Sequence, residues 1–161
     1  MENVFAIDPS GNYGYREGFG ITGWAMFSNG KLTDVGKVCS EEFKYQENYW
    51  QDVAEEMLTV LPKIVVCESF RLFAHKAMQQ SGSSMDTPQL IGYLRMCLWD
   101  RGIPIVFQDP VNKLRFSDEV MVQMGIIEKK GRSHYFKGNI LTIHERDAIR
   151  HGLYYIKYGK K

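Results

Sequence analysis

Val4-Phe5-Ala6-Ile7-Asp8-Pro9-Ser10-Gly11 decides how the rest of the chain is read. Four apolar residues run into a carboxylate and then into proline and glycine. This describes a strand buried on both faces that delivers Asp8 to its carboxyl end as the backbone leaves the sheet. Open α/β sheets bind their ligands at that edge. Ile64-Val65-Val66-Cys67-Glu68 repeats the pattern, so a second buried strand also finishes on an acid. Near the C-terminus, His144-Glu145-Arg146-Asp147-Ala148 opens a helical pattern. Three acids from three distant segments, with a histidine beside the last, make a candidate cation site.

The stretches between these strands complete the architecture. Phe19 to Phe27 reads as a second strand, Ser28-Asn29-Gly30-Lys31 as a hairpin turn, and Leu32 to Val38 as a third strand. Glu42 to Leu61 places Tyr49, Trp50, Val53, Ala54, Met57, Leu58 and Leu61 at the three- and four-residue spacing of an amphipathic helix. Asp86-Thr87-Pro88 starts another helix, which Gly102 stops, and Ile103 to Phe107 forms a fifth strand. A loop is expected around Gln79 to Ser84 and a short helix around Asp118 to Met124. Gly125 to Asn139 reads as a basic loop or irregular segment, and Ile140 to Tyr158 as the closing helix. The expectation is an α/β fold: a mixed five-stranded sheet, made of a three-stranded antiparallel meander plus two parallel strands and flanked by helices.

With 161 residues, 44% of them hydrophobic and 24% charged, the chain matches one globular domain, residues 1–161, and excludes global disorder. No apolar run reaches the roughly 18 residues of a membrane span, and no secretory leader pattern opens the chain, so the expected location is cytoplasmic. Cys39, Cys67 and Cys97 lack zinc spacing and read as reduced structural thiols. The net charge of +1 conceals an asymmetry: residues 1–110 carry 9 Lys+Arg against 14 Asp+Glu, and residues 111–161 carry 11 against 5. A basic face for a polyanion and a merely solvated C-terminal face both fit that distribution.

Each acid alone is a weak signal. Asp before Pro-Ser-Gly also suits a turn, and acids in the first turn of the last helix also suit the helix dipole. Glu68 is harder to dismiss, because a carboxylate following Val-Val-Cys needs a partner near a buried edge. Together, Asp8 between two Mg²⁺ ions and Glu68 and Asp147 flanking them would supply two-metal phosphoryl-transfer chemistry. His144 shares a helical face with Asp147 and is placed either to ligate an ion or, protonated, to hold a phosphate.

Asp8-Pro-Ser-Gly, Thr22-Gly23-Trp24 on the next strand, Glu68 closing strand four and His144-x-x-Asp147-Ala148 on the last helix together resemble the RuvC-like Holliday junction resolvases of the ribonuclease H-like superfamily. Glu68-Ser69-Phe70-Arg71-Leu72, Thr87-Pro88-Gln89-Leu90-Ile91-Gly92 and Asp147-Ala148-Ile149-Arg150-His151 look like the variants carried by bacteriophages. The resemblance implies a homodimeric, Mg²⁺-dependent crossover junction endonuclease, with Mn²⁺ able to substitute, that nicks two symmetric strands of a four-way DNA junction, with other branched DNA as a further substrate class. A phage origin would place it in the cytoplasm of a bacterial host. The implied metal ligands are Asp8, Glu68, His144 and Asp147, and the implied basic catalytic residue is Lys113. The fold places an aromatic soon after the second acid against unpaired bases, a part that Phe70 or Phe73 could serve, with core packing as the alternative reading of both. Arg71, Lys113, Arg115, Lys129, Lys130, Arg132 and Lys137 are candidate DNA contacts. Asn12 to Phe19 and Gly125 to Asn139 are longer than the cellular pattern. Two other readings remain: a nuclease of the same fold acting on RNA or RNA–DNA hybrid, and a non-catalytic branched-DNA-binding protein. A nucleotide-binding ATPase is disfavoured, since such proteins normally duplicate this fold and the chain has room for one copy.

Overall fold

A computed structural model describes residues 3–14, 18–71 and 84–159. Strands β1 (Asn3–Asp8), β2 (Ile21–Ser28), β3 (Lys31–Cys39), β4 (Ile64–Glu68) and β5 (Ile105–Gln108) form one sheet in the order β3-β2-β1-β4-β5. β1 pairs antiparallel with β2 and parallel with β4, and β5 extends the parallel side. The expected mixed sheet is present, with β1 at its centre.

Alternation along β1 divides the interior into two cores. Val4 and Ala6 face one side, and Phe5 and Ile7 the other. Helices α1 (Gln46–Thr59) and α2 (Asp86–Trp99) cover the Phe5 side with Tyr49, Val53, Met57, Leu90, Leu94 and Leu98. On the Val4 side lie Met121 of α3 (Asp118–Gln123) and Ala148, Ile149 and Leu153 of α4 (Ile143–Tyr154). Cover on both faces is why β1 and β4 read as unbroken apolar runs. Burial of one such Leu or Ile contributes about 1.5–3 kcal/mol, so helices and sheet hold each other in place.

Asn29 and Gly30 both take positive φ (52° and 78°), giving the tight turn expected between β2 and β3. Elsewhere the boundaries move. The helix expected from Glu42 begins at Gln46, because Ser40–Glu42 closes as a 3-10 turn and Tyr45 is extended. The fifth strand begins at Ile105, two residues late: Pro104 has no N–H for the ladder, and only its carbonyl is used, by Val65 N at 2.9 Å.

The segment expected to be irregular is a second sheet. β6 (Glu128–Lys130), β7 (Ser133–Phe136) and β8 (Asn139–Ile140) pair antiparallel in that order. Lys137 and Gly138, with φ of 48° and 83°, form the two-residue turn between the last two strands. β8 takes residues from the expected start of the last helix, which opens at Ile143 behind a Thr142–Glu145 capping box. Tyr155–Gly159 then widens into π-type turns. Among the described residues no helix is long and apolar enough to cross a membrane. The expected loop around Gln79 to Ser84 lies largely outside the described residues.

Candidate active site

Parallel pairing of β1 with β4, Ile7 beside Cys67, brings Asp8 and Glu68 out of the sheet side by side. The turn after Asp8 is tied down from three directions. Thr22 Oγ1 of β2 accepts from Ser10 N at 3.1 Å, Tyr49 of α1 donates its hydroxyl to Ser10 O at 2.5 Å, and Thr87 Oγ1 of α2 accepts from Gly11 N at 3.0 Å. Burial pushes the Tyr49 phenol up to about 12, so it stays a donor.

The last helix reaches this edge through a glycine. Gly23 stands opposite Asp8 in the β1–β2 ladder, and a Cβ there would overlap the backbone of His144 and Glu145. Without that atom the N-terminus of α4 lies directly on the sheet, and His144 Nδ1 comes within 3.0 Å of Asp8 Oδ2. Asp147, one turn on, meets Glu68 through an ammonium: Lys113 Nζ is 2.7 Å from Asp147 Oδ2 and 3.1 Å from Glu68 Oε2. Lys113 belongs to a 3-10 segment, Pro110–Arg115, whose start is capped by Asp109 accepting from Val111 N at 3.0 Å.

The charges respond to this crowding. Burial raises the Asp8 carboxyl above its ordinary value, with the charges of Glu68 and Asp147 adding to it and the His144 bond opposing. At Glu68 burial is outweighed by the His151 bond and by Lys113, so its carboxyl is lowered. At Lys113 burial opposes the charge, but the Asp147 bond and the Glu68 charge win and the ammonium is raised. His144 is raised chiefly by its bond to Asp8. A histidine whose folded pKa exceeds its unfolded one contributes stability that is full below the unfolded value and is lost as pH rises through the folded value. Thermal stability of the protein in chelator should therefore gain a falling component as pH passes upward from about 6.5, and His144→Gln should remove it. An unchanged pH slope in that variant would separate His144 from Asp8.

The expected metal ligands all reach one edge, but they do not form a ready cage. Among the described residues no three acids, histidines or cysteines are drawn together as a metal-binding group. The reason is electrostatic. Clustered carboxylates repel, and the Lys113 ammonium takes the bridging place between Glu68 and Asp147. A cation already fills that place, and the donors around it are hard oxygens plus one imidazole, so the set fits divalent ions such as Mg²⁺ or Mn²⁺ once the ammonium moves aside.

The other candidates divide. Phe70 lines a cleft of about 240 Å³ with Asp8, Pro9, Glu68 and Thr87. Arg71 pairs with Asp109 at 2.7 Å. Arg115, Lys129, Lys130 and Arg132 are exposed, the last three on and beside β6. Lys137 donates to Thr33 O at 2.6 Å, which ties the small sheet to β3. Phe73 lies outside the described residues. Not all of the basic C-terminal third is available to a ligand: Arg146 and Arg150 both pair with Asp118, and Arg150 also pairs with Asp147. Sequence reasoning did not assign roles to Arg150, His151 and Gln108, all of which contact the site. A signal for His151 was present, since 144, 147 and 151 share one helical face.

The sheet order, with carboxylates at the ends of β1 and β4 and on α4, defines a ribonuclease H-like fold. Among solved structures the chain is similar to Thermus thermophilus RuvC in complex with a Holliday junction substrate, at 16% identity and a TM-score of 0.70 over 99% of this chain and 96% of that one. Another Thermus thermophilus RuvC structure matches at 17% and 0.63 over 98% and 96%. The fowlpox virus resolvase, complexed with its substrate Holliday junction DNA, matches at 11% and 0.55 over 99% of both chains. No protein-family model matches, and no curated protein matches by sequence. The ribonuclease H-like fold expected from the motifs is the fold observed.

Proposed function

We propose that the protein is a structure-selective DNA endonuclease that resolves four-way junctions by metal-dependent phosphodiester hydrolysis. One observation carries this reading: the Asp8–His144 pair and the Glu68–Lys113–Asp147 bridge lie at one carboxyl edge, in a fold that matches those of junction-bound resolvases over 99% of this chain. Asp8, Glu68, Asp147 and His144 would hold two Mg²⁺ ions, with Mn²⁺ as a substitute, and the ions would supply Lewis-acid activation of water and stabilisation of the leaving oxygen. The chain's own groups do the rest. Pro9, Ser10 and Gly11, locked by Thr22, Tyr49 and Thr87, keep Asp8 fixed as the substrate enters. Lys113, released from the carboxylates, would offset the charge that develops on a scissile phosphate. Phe70, at the cleft wall, offers a face to an unpaired base. Two copies related by a twofold axis would match the symmetry of the junction and cut opposing strands.

The test is a panel of end-labelled four-way junction, flap, linear duplex and RNA–DNA hybrid in Mg²⁺ and in Mn²⁺. Junction cleavage should dominate; hybrid cleavage with an intact junction would reassign the substrate. Binding should rest on exposed basic residues. Replacing Lys129, Lys130 and Arg132 with Ala should weaken junction binding uniformly across sequences and lower the salt slope by about 1 for each lost phosphate contact. An unaltered slope would take the β6–β7 hairpin off the DNA.

A further inference from the structure

His151 is wholly buried (0% exposed) on α4, yet both ring nitrogens have polar partners on other elements. Nε2 lies 2.6 Å from Glu68 Oε2, and Nδ1 lies 2.8 Å from Gln108 Oε1. Glu68 and Gln108 are themselves neighbours, the paired last residues of β4 and β5. One imidazole therefore joins the ends of two strands to the last helix. Its neighbours on α4, Ala148, Ile149 and Leu153, are core residues, and an apolar side chain would fill the place without requiring partners. The polar ring must serve the group it touches. A carboxylate oxygen accepts, so Nε2 donates to Glu68 Oε2, and the Gln108 amide holds the other side of the ring at Nδ1.

We propose that His151, anchored by Gln108, is a positioning residue that locks the Glu68 carboxylate through Oε2 and leaves Oε1 to a divalent cation. Among the described residues Oε1 accepts no hydrogen bond, whereas Oε2 takes both His151 and Lys113. Lys113 is not an equivalent anchor, because its ammonium is divided with Asp147 and occupies the bridging place itself. Outer partners of this kind orient metal-binding groups, and their loss typically weakens metal affinity about 10- to 100-fold. The inference rests on Glu68 being a ligand of the proposed centre.

The experiment measures Mn²⁺ binding by calorimetry on DNA-free protein, for wild type, Glu68→Gln, His151→Leu, His151→Gln and Gln108→Met, with circular dichroism to certify folding. His151→Leu should lose roughly 10- to 100-fold in Mn²⁺ affinity. His151→Gln, which returns a donor near Nε2, should recover most of the loss, and Gln108→Met should fall between. In wild type the His151 ring N–H should give a slowly exchanging, downfield proton resonance that disappears in Glu68→Gln. If Glu68→Gln loses Mn²⁺ while a folded His151→Leu binds like wild type, the positioning role is overturned and the centre stands. If Glu68→Gln binds like wild type, the centre itself is wrong and this inference falls with it. Should His151→Leu fail to fold, an unimpaired Gln108→Met together with no Glu68-dependent ring proton overturns the proposal equally.

Discussion

Asp8→Asn should reduce junction cleavage at saturating protein by about 10³-fold or more, on the order of 4 kcal/mol in the barrier, while leaving junction binding intact or tighter. Asp8 sits at the end of the central strand, bonded to the His144 ring and close enough to Glu68 and Asp147 to feel their charges. Asn keeps its shape but has no charge with which to hold a cation. The turn that carries it is fixed by Thr22, Tyr49 and Thr87, none of which the substitution touches, so the fold should persist. With the metal chelated, removing one negative charge beside the proposed path of the phosphates should strengthen binding. Single-turnover rates and mobility-shift titrations separate the two effects. Cleavage within about tenfold of wild type would remove Asp8 from the centre.

Gly23→Ala should damage stability and activity together. The added methyl would meet the His144 and Glu145 backbone, which cannot rotate aside as a side chain can. Overpacking costs typically 1–3 kcal/mol, and backbone overlap puts this case at about 3 kcal/mol, lowering the melting temperature by roughly 6–12 °C for a chain of this size. Any relief must lift the N-terminus of α4 away from β2, carrying His144 and Asp147 with it. Displacement of about 1 Å in a catalytic group can cost ~10²-fold in rate. Gly92→Ala is the control: its Cβ meets nothing within 4 Å among the described residues, and alanine should be neutral or stabilising there by up to about 1 kcal/mol. Equal melting temperatures for the two variants would show that α4 does not need the glycine.

The central strands were legible because burial on both faces leaves an apolar run that ends abruptly at an acid, as at Asp8 and Glu68. Helices α1 and α2 were legible from their periodicity, since each buries a single stripe. The small sheet was not. Glu128-Lys129-Lys130 is exposed throughout and carries no alternating pattern, and the information lay instead in the turn residues Gly131 and Lys137-Gly138. At the site, residue types that stand at strand ends announced themselves, as the acids did. Lys113 came through family likeness, and the structure places it against Glu68 and Asp147. Arg150, His151 and Gln108 went unassigned because their contacts are made across distant segments, and a buried histidine at a core helical position looks like packing until its partners are known.

Junction resolution is tested most directly by mapping, at single-turnover resolution, the cuts in a four-way junction labelled in turn on each strand, in Mg²⁺. Two nicks at symmetric positions on opposing strands, giving ligatable duplex products, are expected, and none in Asp8→Asn. Cuts confined to an RNA–DNA hybrid or to linear duplex, with the junction left whole, would contradict it.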